Sequence, residues 1–234
     1  MSEETFKAGA EAIKASAELG SKAIDAGTSF GALFKGAISE RVGMLEDRWK
    51  AQRWKQRVKL VIDAHKYLKD RGLSGATRDI PMPFAVKLLQ NGELEESDDL
   101  RDIWSRLLAN AADAGSGIEP RVAYVEILAE MTSLDAQNLE VLVRAQLRHQ
   151  GKTETALIVT GKLPNTAEPF DEPKDYDLLP EVRVAVSVSN LARLGLVEPA
   201  SATFGGKPLY HYVVITPLGL DFYHSCSRTP LTNE

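Results

Sequence analysis

The run Ser189-Asn190-Leu191-Ala192-Arg193-Leu194-Gly195-Leu196-Val197-Glu198 constrains this chain more than any other stretch. Its apolar positions end in Leu-Gly-Leu, and glycine there stops a helix because it accepts the left-handed backbone that closes a C-terminus. An apolar strand follows, then a Gly205-Gly206-Lys207-Pro208 tip and a return strand over Tyr210 to Ile215. Thr216-Pro217-Leu218-Gly219-Leu220 then turns into a short terminal helix. Helix, hairpin and helix in that order predict a winged-helix (α+β) domain over residues 132–228, a module that serves either nucleic acid or protein. Upstream, Ser133 is placed to cap a helix carrying Leu134, Leu139, Leu142, Val143 and Leu147. Gly151 to Pro180 reads as a long loop rich in Pro, Asp and Glu. Val182, Val184, Val186 and Val188 alternate as a strand would, while Leu191, Leu194 and the Leu-Gly stop are helical. The helix is preferred, over at least Ser187 to Leu194.

The N-terminal residues 1–48 have a different character. On a wheel of about 100° per residue, Phe6, Ile13, Ile24, Phe34, Ile38, Val42, Leu45 and Trp49 form one narrow stripe. Lys7, Glu11, Lys14, Glu18, Lys22 and Asp25 lie opposite, and small residues fill the flanks. Each glycine weakens a helix by about 1 kcal/mol relative to alanine. That cost is offset only where another helix or a lipid surface comes close, and Gly27-x-x-x-Gly31 has the spacing for it. The expectation is a long amphipathic helix presenting Phe6, Ile13, Ile24, Phe34, Ile38, Leu45 and Trp49 as an assembly face. Peripheral membrane contact is the second reading and a disordered leader the third.

Residues 49–131 read as a central helical domain. Arg48, Lys50, Arg53, Lys55 and Arg57 crowd around Trp49 and Trp54, as residues meeting an anionic surface would, or as the solvated side of a long helix. The apolar stripe then moves to Trp54, Val58, Val61, His65 and Leu68, and the helix closes at Gly72. After Ile80-Pro81-Met82-Pro83, a short helix begins with Phe84, Leu88 and Leu89. The acidic stretch from Gly92 to Asp99 leads into Leu100, Ile103, Trp104, Leu107, Leu108 and Ala111 at helical spacing. Acids at a helix start complement its dipole, and no histidine stands beside them, so capping is expected rather than a metal site. A further helix carries Val122, Val125, Leu128 and Met131. Residues 229–234 read as a tail, and the whole as mainly α.

The 33 acids outnumber the 28 Lys and Arg residues. The resulting net charge of −5 argues against a chain whose main work is coating nucleic acid. A DNA reading would use Ser189, Asn190 and Arg193, with Lys207 on the wing. Acids outnumber bases in residues 133–228, so these side chains suit a protein partner better. The histidines His65, His149, His211 and His224 are scattered, and Pro208 stands where a phosphate loop needs Ser or Thr. No enzyme activity, metal or cofactor is expected. A single cysteine, no signal peptide and no apolar run of about 18 residues predict a cytoplasmic protein, with inner-membrane contact as the second possibility.

From about Trp49 to Cys226 the chain resembles the Abi-alpha (abortive infection alpha) family of bacterial proteins. The resemblance rests on Trp54-Lys55-Gln56-Arg57-Val58-Lys59-Leu60, Ile80-Pro81-Met82-Pro83 and the long phrase from Leu94 to Ala111. Ser189-Asn190-Leu191-Ala192-Arg193-Leu194-Gly195 and Ile215-Thr216-Pro217-Leu218-Gly219 add to it. It implies a role in defence against phage and brings no catalytic motif. The combined expectation is a non-enzymatic anti-phage protein acting through protein association or homo-oligomers, with a membrane-active N-terminal helix as one effector. The alternative is a winged-helix DNA-binding regulator.

Overall fold

The computed structural model describes residues 48–148, 157–170, 179–199 and 210–228, which fall into two compact units. One runs to Ala129 and takes the chain up again at Ser225; the other is Glu130–His224. The stripe from Phe6 to Leu45, Lys207 and the hairpin tip lie outside the described residues.

The first unit holds α1 (Arg48–Asp70), α2 (Met82–Gly92), α3 (Asp98–Ala112) and α4 (Val122–Ala129), with a 3-10 turn at Ala114–Ser116. α1 lies chiefly against α3, and α2 chiefly against α4. The stripe Trp54, Val58, Val61, His65 and Leu68 is buried, and so are Leu100, Trp104, Leu107 and Leu108 on α3. Each such large side chain contributes about 1.5–3 kcal/mol by leaving water. The two prolines set the start of α2: Pro81 is non-helical at the N-cap and Pro83 sits in the first turn, where a missing N–H costs nothing. At the other end of α2, a Cβ on Gly92 would lie 2.4 Å from Leu60 Cδ1, so a glycine is what lets α2 approach α1.

The acidic run serves the start of α3. Ser97 is the N-cap, its hydroxyl accepting from Leu100 N–H, and Asp98 and Asp99 fill the first turn. Arg101, buried, donates to Asp98 Oδ1 at 2.7 Å and to the carbonyls of Glu95 and Glu96 at 3.4 and 2.9 Å. α1 ends as glycine dictates. Gly72 has φ +79°, its N–H donates to Lys69 O, and Leu73 N–H donates to Leu68 O.

The second unit holds α5 (Ser133–Leu147), β1 (Ile158–Val159), β2 (Glu168–Pro169), α6 (Val182–Arg193), β3 (Val197–Pro199), β4 (Tyr212–Ile215) and most of α7 (Pro217–Ser225). The strands form one antiparallel sheet in the order β2-β1-β4-β3, with Ile158 opposite Val213 and Val197 opposite Ile215. Both outer strands carry a proline, Pro169 and Pro199, which has no N–H to offer a further strand.

Two readings of this unit need correction. The stretch read as a loop from Gly151 to Pro180 contains β1 and β2, each of two residues and too short to show an alternating pattern. Thr160 helps hold β1 in place, its N–H donating to His211 O and its hydroxyl to Tyr210 O. The cap of α5 is Thr132, not Ser133. Thr132 Oγ1 accepts from Asp135 N–H while the Asp135 carboxylate accepts from Thr132 N–H, a reciprocal box one residue earlier than expected. The helix expected over at least Ser187 to Leu194 is present and starts earlier, at Val182, with Leu194 as its C-cap.

α6 closes on Gly195, φ +76°, with Gly195 N–H on Ala192 O and Leu196 N–H on Leu191 O. Thr216 Oγ1 donates to Gly195 O at 2.6 Å and accepts from Gly219 N–H at 2.9 Å. The phrases Leu194-Gly195 and Thr216 to Gly219, distant in sequence, therefore meet in one joint. Among the described residues no helix is long and apolar enough to cross a membrane.

Candidate functional site

The residues proposed to meet nucleic acid or a partner lie on α6, and burial decides what each can do. Val184, Ser187, Val188 and Leu191 are buried, and α6 packs on α5. Beneath this seam lies a polar cluster centred on Asp135, itself buried. Its Oδ1 accepts from Ser187 Oγ at 2.5 Å, and its Oδ2 from Asn190 Nδ2 at 3.1 Å and from Thr132 Oγ1 at 2.8 Å. Asn138, fully buried, donates from Nδ2 to Ser187 Oγ at 2.9 Å. A buried carboxylate is tolerated only when its lone pairs are met by donors, and here helix cap and neighbouring helix supply them together. The Ser187 proton points to a carboxylate inside the protein, so this pair orders α5 against α6.

Asn190 and Arg193 are tied into the same cluster. Asn190 Nδ2 also donates to Glu130 O at 3.1 Å, and its Oδ1 accepts from Arg193 Nε and Nη2 at 3.0 and 2.8 Å. Arg193 Nη2 pairs with Glu130 Oε2 at 2.6 Å. Reading adenine from the major groove requires both the oxygen and the nitrogen of an asparagine amide. In Asn190 both are engaged within its own unit. Ser189, Asn190, Ala192, Arg193 and Tyr210 line a shallow open depression of about 570 Å³. The structure thus brings Ser189, Asn190 and Arg193 together, while Lys207 lies outside the described residues.

The sequence reading missed the outer face of α6. Val182 and Val186, one turn apart, are 82% and 65% exposed, and Leu179 just before the helix is 63% exposed. The signal was present: valines every second residue, placed on a helix, must put half their number outside.

The basic run of α1 is not one surface. Arg53 and Lys55 are exposed, but Trp54 between them is buried. Arg57 turns inward to Glu93, with Nη2 at 2.5 Å and Nε at 2.8 Å from Oε2. Arg48, Trp49 and Lys50 open the described helix, their side chains lying outside the description. Elsewhere in the first unit, Tyr67 hydrogen-bonds Asp102, and burial together with that bond pushes its hydroxyl up to about 12. Among the described residues no group of three or more His, Cys, Asp or Glu is arranged to hold a metal ion.

These features define a mainly helical protein of two units, the second organised around a buried aspartate and a helix with an apolar outer face. Residues 52–226 match the family model for abortive infection alpha, and the chain belongs to that family. Membership points to defence of the abortive-infection type. No curated protein and no solved structure matches the chain.

Proposed function

We propose that this chain is a non-enzymatic, cytoplasmic defence protein that acts through protein association, and that its second unit is a winged-helix module directed at protein rather than DNA. The exposed face of α6 carries the reading. A β-branched residue on a helix gains nothing from propensity, and an exposed one gains nothing from burial. Val182, Val186 and Leu179 therefore make sense as a face that another protein covers. The polar side chains beside them are the ones already engaged with Asp135 and Glu130. The order of elements, with β1 joined to the β3–β4 pair, supports the winged-helix assignment. In this reading the stripe from Phe6 to Trp49 supplies assembly or a lipid contact at the inner membrane.

The test is phage plating on cells that express the full-length chain or its Val182→Asp, Val186→Asp double variant. Protection should fall while expression and circular dichroism stay unchanged, because neither valine is in the core. Undiminished protection by the double variant would overturn the reading.

A further inference from the structure

We propose that Ser225–Arg228 is a releasable strap of the first unit, clasped by Asn110 and Arg71. Asn110 is fully buried in the last turn of α3. Its Nδ2 donates to Ser225 O at 2.7 Å and Ser227 O at 3.0 Å, and its Oδ1 accepts from Arg71 Nη2 at 2.6 Å. That same Arg71 nitrogen donates to Arg228 O at 2.7 Å, while Nη1 pairs with Asp113 at 3.3 Å. Two side chains thus hold three carbonyls of a segment more than a hundred residues away.

The hub is anchored from the α3 side independently of the strap. The Asn110 carbonyl accepts from Arg78 Nη2 and Ser116 Oγ, so Asn110 stays in place when the strap leaves. The strap brings little apolar surface of its own. Cys226 is buried, whereas the Arg228 side chain is 73% exposed and reaches Asp102 only at 3.8 Å. The segment is short: Ser225 and Cys226 are buried, Ser227 is half-buried and Arg228 is exposed. Such segments open locally, below the free energy of global unfolding. The chain leaves the first unit after Ala129 and returns to it at Ser225.

Cys226 is the only cysteine in the chain and reports the opening. Burial pushes its thiol up to about 12, so in the docked strap it is unreactive. Iodoacetamide modification of the full-length protein, followed at pH 8 across low urea, reads its exposure. The expected wild-type rate is slow and nearly flat with urea until the global transition. Arg71→Gln, which removes charged bonds to Asn110 and Arg228 O, should raise the rate about tenfold. Arg228→Ala keeps the clasped carbonyl and should change the rate less than about twofold. Tryptophan fluorescence of the same samples gives the global midpoint. The proposal fails if Cys226 reacts only along the global unfolding curve. It fails equally if Arg71→Gln speeds the reaction no more than its loss of global stability requires, or leaves it unchanged.

Discussion

α1 and α6 end in the same way, and what they do next differs. Leu68 to Leu73 and Leu191 to Leu196 both close on a glycine of positive φ with the same pair of reverse hydrogen bonds. In α1 the residue before the glycine is Arg71, which reaches Asn110, Asp113 and a distant main chain. In α6 it is Leu194, and the polar contacts come instead from one and two turns earlier, Asn190 and Ser187 onto Asp135. Each unit has a hub built on a buried polar side chain, Asn110 in one and Asp135 in the other, and the two hold different things. The Asn110 hub binds backbone carbonyls of a separate segment, while the Asp135 hub binds side chains of a neighbouring helix. The first sits under a short segment at Ser225–Arg228; the second lies within the seam between α5 and α6.

The sharpest test of that difference is Asp135→Ala. It removes the capping box, strips the Ser187 hydroxyl of its acceptor and leaves Asn190 Nδ2 only its bond to Glu130 O, a loss of about 2–4 kcal/mol. All three tryptophans, Trp49, Trp54 and Trp104, belong to the first unit. The loss should therefore appear in far-ultraviolet circular dichroism as an earlier transition with no change in tryptophan emission. If emission moved with it, the two units would unfold as one and the comparison would break.

A smaller effect separates two glycines, one in each unit. A Cβ at Gly219 would lie 2.0 Å from Leu196 O, against backbone, whereas at Gly92 the obstacle is the end of the Leu60 side chain. Both alanine variants should destabilise by about 1–3 kcal/mol, with Gly219→Ala the costlier because backbone cannot step aside. Equal midpoint losses in urea would mean that the joint between Gly195 and Gly219 yields more readily than its contacts indicate.

The smallest expected difference is in pH. Burial lowers the pKa of His224 below its ordinary 6.5, partly offset by Asp221. The unfolded chain then binds more protons just below pH 6.5, so the second unit loses stability as pH falls through that point. In the first unit, burial is the chief cause raising Asp63 above its ordinary 3.8. Here the folded form binds more protons, so acidification favours it in the window above pH 3.8. Thermal melts from pH 7.5 to 5 should show the His224 slope, and His224→Gln should flatten it. A slope unchanged in that variant would assign the effect to another group.

Most of the architecture was legible because it follows from local rules. Trp54 to Leu68, Leu100 to Leu108, the glycine stops and the proline step each announce their element through spacing or backbone preference. The long phrase from Leu94 to Ala111 turns out to be α3 with its cap and the Arg101 clamp. What escaped depends on partners far along the chain. β1 and β2 are strands only because β4 pairs with β1. Asn110 gave no sign in an otherwise apolar stretch that it meets Ser225 and Ser227. Asn190 and Arg193 offered the right chemistry for DNA, and nothing local showed that Asp135 and Glu130 engage them. Thr132 was within reach, since Thr-x-x-Asp is itself a capping signature.

The central proposal is that α6 faces a protein and not a nucleic acid. Fluorescence anisotropy of a labelled duplex with the full-length chain tests it most directly, in low salt and at about 10 µM protein, where even non-specific binders occupy DNA. The account predicts no saturable rise. A saturable rise that weakens with salt and disappears in Arg193→Glu would contradict it.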